Sequence, residues 1–311
     1  MLPAPLQYRL KCLSHIFRDA VETRPLTNPP ARLPLPPYLK TTLSSDDPEK
    51  LFKGIKEALA ANGTNLSAVE RINIVWPHKH PKRWHTNMAT SAARDLADTL
   101  QCNYPRIKFT LAPALHETVH LDRSGNQSSL HALTGRQIYA VDPVLQDEEA
   151  PIFMPQPRGP EYFILTDWMI EQGTTIANLA SFIQHNGGTI LAVADQYGDT
   201  TLRQKDALAT RAERRALPSA MRAGQIPDLA RTFRNAAAAA GMDMNAAQSV
   251  HAVESALQRH GRSLLTLTQG ECTRLQYSLY GKSDFPALLE KLNSTAPAPA
   301  DKLPQRIPAV A

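Results

Sequence analysis

Asp167, Glu171, Gln172, Gly173, Thr174 and Thr175 fall within one short stretch, DWMIEQGTT, and their types suit the capture of a phosphorylated sugar. A carboxylate accepts hydrogen bonds from sugar hydroxyls or holds the water shell of a magnesium ion. A glycine lets backbone come close to a phosphate, and threonine hydroxyls add donors to the free N–H groups that open a helix. A second group is basic: Lys79, Lys82 and Arg83 within PHKHPKRWHTN, with charges suited to an anion. His78, His80 and His85 share the basic loop. Without a cysteine or acid beside them, an exposed loop is the plainer reading than a zinc site.

For the acid and the turn to work together, the flanking chain must supply a strand and a helix. Tyr162 to Thr166 (YFILT) is apolar and predicts a buried strand of a parallel sheet, with Asp167 at its carboxyl end. The amphipathic run IANLASFIQ predicts the helix, Asn186-Gly187-Gly188 ends it, and TILAVA predicts the next strand. Strand, acidic tip, turn, helix and strand make a βαβ unit, whose ligand edge lies at the carboxyl ends of the strands.

Earlier in the chain, RINIVW (71–76) and RIKFTL (106–111) predict strands on either side of the helix MATSAARDLADTL. A long polar stretch then runs to about Arg136, of a length expected of a functional lid or of disorder. Ser44-Ser45-Asp46-Asp47-Pro48 offers N-cap chemistry for the helix EKLFKGIKEALAA, which ends near Asn62-Gly63. Residues 1–20 could form a short helix, and the proline-rich segment to Lys40 reads as an extended strap. After Asp195, residues 203–222, Pro227 to Ala240, Met244 to His260 and Phe285 to Leu292 predict helices. SLLTL (263–267) predicts a strand.

The 311 residues leave room for one packed domain with additions, or for two small ones. The expected division is 1–65 for an N-terminal helix, strap and packing helix, and 66–200 for the α/β core. A mainly helical region follows at 201–294, with a disordered tail at 295–311. No run of 18 apolar residues predicts a membrane span, and the N-terminus lacks the pattern of a signal peptide. Cys12, Cys102 and Cys272 form neither a disulfide framework nor a metal cluster, so the expected compartment is the cytoplasm. Residues 201–311 hold 15 Lys/Arg against 9 Asp/Glu, a charge of +6 that exceeds the +5 of the whole chain. Arg211, Arg214, Arg215 and Arg222 are spaced for one helix face, where a solvated surface is a better reading than nucleic-acid contact.

The 162–176 segment resembles the PRPP-binding signature of the type I phosphoribosyltransferases. In that family an apolar strand runs into two acids, two apolar residues and a Thr-Thr-Gly-x-Thr type loop. Asp167 matches the first acid, Gly173 the loop glycine and Thr175 the closing threonine; Trp168 stands where the second acid is expected. A further resemblance is to the competence protein F (ComF) branch, carried by Trp76-Pro77, the basic loop, Asn87, Leu96-Ala97 and LHALTGR ending at Arg136. The two resemblances cover residues 72–194.

The resemblance implies a central parallel sheet of the phosphoribosyltransferase kind flanked by helices, with the strap and the helical C-terminal region as additions. It implies that 172–175 bind a 5′-phosphate, that Asp167 meets ribose hydroxyls or Mg²⁺-bound water, and that Lys79, Lys82 and Arg83 meet pyrophosphate. Arg136 would belong to a lid, and Glu171 could assist proton transfer. The implied partners are PRPP or a nucleotide and, in an enzyme, a nitrogen base and Mg²⁺; the helical region could make a homodimer contact. The alternative is a non-catalytic PRPP- or nucleotide-sensing or interaction protein that keeps the fold without the second acid.

Overall fold

The computed structural model describes residues 29–36, 38–39, 43–44, 47–78, 88–119, 133, 136–141, 160–167, 170, 173–195, 225–279 and 285–294. The predicted βαβ unit is present. Strand β7 (Tyr162–Asp167) leads to helix α3 (Thr174–His185) and strand β8 (Thr189–Asp195). On the far side of β7 lies β2 (Arg71–Val75), followed by β4 (Lys108–Leu111), and β1 (Leu43–Ser44) pairs with β8. All pairings in this five-stranded sheet, ordered β1-β8-β7-β2-β4, are parallel. The fold is therefore α/β, as the apolar runs without polar alternation require of strands covered on both faces.

Two layers of helix cover the sheet. Helix α1 (Pro48–Ala61) and helix α2 (Met88–Asn103) pack on one face, where Leu51, Ile55, Leu59, Leu96 and Leu100 meet Ile72, Ile74 and Ile164. The predicted cap of α1 forms: the Asp47 side chain accepts from the Lys50 N–H, with Pro48 in the first turn. Helix α3 covers the other face, joined there by Leu35 and Leu39 of the strap. The described part of the strap (29–36 and 38–39) forms neither helix nor strand, as its prolines dictate.

Three features differ from the sequence expectation. The polar stretch after β4 contains a hairpin, β5 (Ala114–Val119) and β6 (Arg136–Val141), which forms a second sheet with the short β3 (Pro77–His78). Its sequences, ALHETV and RQIYAV, are too polar to stand out as strands. SLLTL is not a strand but a 3₁₀ turn at Leu264–Thr266, because Ser263 and Thr266 cap each other across it. A helix absent from the expectation, α6 (Gln269–Ser278), follows this turn.

The C-terminal region is helical, with α4 (Gln225–Ala239), α5 (Ala246–Gln258), α6 and α7 (Phe285–Ser294) around a core of Phe233, Val253, Leu257, Leu275 and Phe285. Leu133, from the connection between β5 and β6, is buried in that same core. The segment expected to act as a lid is thus anchored to the helical region at this residue. The predicted helices at 1–20 and 203–222, the Arg211–Arg222 group and the 295–311 tail lie outside the described residues. No helix among the described residues is long and apolar enough to cross a membrane.

Candidate phosphate-binding site

Gly173 is the N-cap of α3 and adopts φ 76°, ψ −2°. This left-handed conformation is cheap only without a Cβ, which is the local reason for a glycine at this point of the turn. Its carbonyl accepts the first helical bond from the Ala177 N–H at 2.8 Å. No side chain caps the helix at this position. The first turn of α3 thus lies at the carboxyl edge of the sheet and carries the positive end of the helix dipole.

Asp167 closes β7 at the same edge, and its register partner on β8 is Asp195. Side chains alternate along a strand. Asp167 follows Leu165 and Asp195 follows Val193, and both of those leucine and valine side chains lie in the α3-side core. The two acids therefore project to the same side of adjacent strands, which are about 5 Å apart. Asp195 is almost wholly buried, whereas Asp167 is half-buried. Sequence reasoning singled out Asp167 alone, although TILAVAD ends in an acid just as YFILTD does.

Tyr139, from β6, reaches this corner and donates its hydroxyl to the Thr175 carbonyl at 2.7 Å. Burial pushes its pKa well above the ordinary value of 10.0; the nearby Arg32 guanidinium opposes that rise and the Asp167 carboxylate adds to it. The hairpin thus contributes a neutral phenol that holds the first turn of α3.

The turn is gripped from outside by a group that no motif indicated. Thr174 donates its hydroxyl to Glu271 Oε1 at 2.7 Å. Arg32 forks onto the same carboxylate, with Nη1 to Oε2 at 2.6 Å and Nη2 to Oε1 at 3.0 Å, and Arg262 Nη1 reaches Oε1 at 3.0 Å. Arg32 Nε also donates to Asn178 Oδ1 at 2.9 Å, and the Leu33 N–H to Ser181 Oγ at 2.8 Å. Thr174, Asn178 and Ser181 recur at i, i+4 and i+7 on one helix face. That polar stripe reads as a solvated face, yet it receives the strap. Thr268-x-x-Glu271 is a capping box, with the Glu271 N–H donating to Thr268 Oγ1 and the Thr268 N–H to Glu271 Oε2. This pattern was available in the sequence as a start signal for α6.

Of the expected site residues, the structure brings Asp167, Gly173, Thr174 and Thr175 to one edge. Glu171, Gln172 and Trp168 lie outside the described residues, as do Lys79, Lys82 and Arg83 of the basic loop and the histidines His80 and His85. Arg136 opens β6 through its backbone, and its side chain is likewise outside the description. No cluster of three metal-binding side chains occurs among the described residues.

Cys272, beside Glu271, has its thiol pushed up to about 12 by burial and then by the neighbouring carboxylate, against an opposing backbone hydrogen bond. The folded thiol keeps its proton to about pH 12, whereas the unfolded one loses it near its ordinary value of 9.0. The unfolded state then binds fewer protons across that window, so stability falls as pH rises from 9 toward 12. Tyr139 adds the same sign above 10.0. Cys272→Ala is expected to flatten the first part of this loss, measured by urea titrations at about pH 8 and about pH 10.5. An unchanged slope would show that the thiol titrates alike in both states.

No family model matches the chain, and no curated protein does. Two crystal structures of a hypoxanthine phosphoribosyltransferase from Staphylococcus aureus, in tetragonal and orthorhombic forms, are similar to it, with TM-scores of 0.27 and 0.25 and identities of 10% and 11%. Each comparison covers 50% of this chain and 65% of the other, so the chain spans less than two thirds of that protein's length.

Proposed function

We propose that the chain binds a phosphorylated ribose, PRPP or a nucleotide 5′-phosphate, at the carboxyl edge formed by Asp167 and residues 173–175. The observation that carries this reading is the left-handed Gly173 directly ahead of α3, with the Asp167 carboxylate at the tip of the preceding strand. In this reading the N–H groups of the turn take the 5′-phosphate, and Asp167 takes the ribose hydroxyls. Lys79, Lys82 and Arg83 meet the pyrophosphate, and Arg136 acts as a lid residue. The assignment to the ComF-like branch rests on sequence resemblance, at Trp76-Pro77, the basic residues Lys79, Lys82 and Arg83, Asn87, Leu96-Ala97 and LHALTGR ending at Arg136.

Asp167 and Asp195 fit magnesium, because that ion takes one or two carboxylates together with water and substrate phosphate oxygens instead of a full protein cage. When bound, it would offset charge on a departing pyrophosphate. In an enzyme, a base nitrogen displaces pyrophosphate from C1 of PRPP, and the protein's contribution is positioning and charge stabilisation. In that scheme the proposed role of Glu171 is to assist proton transfer to or from the base. The second reading, a sensor that binds without transfer, is favoured by one observation: Trp168 stands where the second acid of the signature is expected.

Isothermal titration calorimetry with PRPP, with and without Mg²⁺, tests the site. Micromolar binding is expected, weakened at least about 10-fold in Asp167→Ala, a cost of about 1.4 kcal/mol. Absence of binding to the unaltered protein would refute the proposal. Pyrophosphate release in the presence of purine or pyrimidine bases then separates enzyme from sensor.

A further inference from the structure

We infer that Glu271 is a positioning residue for the phosphate loop, acting through the hydroxyl of Thr174. This inference rests on the phosphate-site reading above and goes beyond it, because Glu271 belongs to the C-terminal helical region and to no part of the phosphate motif.

The geometry carries it. Glu271 is fully buried, and its carboxylate accepts five hydrogen bonds: two from Arg32, one each from Arg262 and Thr174, and one from the Thr268 N–H. A carboxylate offers about four lone-pair directions, so this one is saturated and has no freedom to swing. Of its donors only Thr174 lies in the α3 turn. Thr174 is the first residue of α3 and directly follows the left-handed glycine. Fixing its side chain fixes the orientation of the N–H fan that would receive a phosphate.

The carboxylate is itself held at several points. Arg32 Nη1 also donates to the Thr266 carbonyl at 3.2 Å, and the Arg32 N–H to the Gly261 carbonyl at 2.7 Å. Strap and helical region approach so closely that a Cβ on Gly261 would lie 2.5 Å from the Pro30 carbonyl oxygen. The ligand-ready form of the turn is therefore set by segments far from it in sequence. Tyr139, which holds the Thr175 carbonyl, steadies the same turn from the opposite side of the chain's connectivity.

A double-mutant cycle in binding tests this. Ribose 5-phosphate is titrated calorimetrically into the unaltered protein, Thr174→Val, Glu271→Ala and the double variant, with urea unfolding of each recorded in parallel. Thr174→Val removes the hydroxyl without touching the ion pairs, so it reports even where Glu271→Ala unfolds. The expected result is a loss of about 10-fold in affinity for either single change and no further loss in the double variant. Thr174→Ser, which restores the hydroxyl, should recover most of the loss. A purely structural Glu271 would lower stability and leave affinity of the folded fraction unchanged, and additive losses would equally overturn the inference. Tighter binding by Glu271→Gln would overturn it in the other direction, showing that the carboxylate competes with the ligand. Failure of the unaltered protein to bind refutes the phosphate reading itself, whereas binding that ignores Thr174→Val refutes only the role of Glu271.

Discussion

Arg32→Met is expected to lower the stability of the fold by about 3–5 kcal/mol, the usual cost of removing one partner from a buried ion pair. Arg32 is only 7% exposed, and its guanidinium binds Glu271 twice, the Thr266 carbonyl and Asn178. Methionine fills a similar channel but satisfies none of these groups. Arg262 still faces Glu271, so the carboxylate is not left wholly uncompensated, and the lower half of that range is the better expectation. The strap would then lose its grip on Asn178 while keeping Leu35 and Leu39 in the core. Urea unfolding should show a lower midpoint with an unchanged slope. A shift below about 1 kcal/mol would place the Arg32 fork among ordinary exposed pairs. Converting Arg32, Arg262 and Glu271 together to apolar residues should cost less than Arg32→Met alone, since no charge then stays buried without its counterpart.

That network also shows where sequence reading stops. Strands β7 and β8 and helix α3 were legible because their cause is local: apolar runs of fixed length, a glycine that the turn demands, and Gly187 and Gly188 after the helix. The same holds for α1, whose Asp47 cap and Pro48 act within one turn. The β5–β6 hairpin was not legible, since half its residues are polar and its pairing is set by tertiary contact, as at Tyr139 and Thr175. Arg32 was hidden for a different reason. A single arginine in a proline-rich strap carries no periodic signal, and its partners Asn178 and Glu271 lie 146 and 239 residues away. Asp195 was overlooked although its strand pattern matched that of Asp167. Only the parallel register Asp167–Asp195 turns two separate acids into neighbours. The motif thus pointed to one wall of the candidate site, and long-range pairing brings the others beside it.

Gly173→Asp is expected to weaken ribose 5-phosphate binding at least about 100-fold, while Gly173→Asn weakens it far less. Position 173 has φ 76°. Asn and Asp are the residues, after glycine, that enter the left-handed region most readily, so the backbone treats these two variants nearly alike. They have similar shape and differ mainly in charge. A new carboxylate at the N-cap meets an incoming phosphate as a like charge in a half-buried turn, and such a juxtaposition costs several kcal/mol. A loss of about 2.8 kcal/mol already corresponds to 100-fold. The helix itself should tolerate either change, because acids near a helix N-terminus are stabilising in the absence of ligand. Stability and affinity are therefore expected to part company: Gly173→Asp folds at least as well as Gly173→Asn yet binds far more weakly. Raising the salt concentration should narrow the gap, since screening weakens a charge repulsion but not a steric block. Equal losses in the two variants, insensitive to salt, would show that the turn excludes side chains for reasons of space and not of charge.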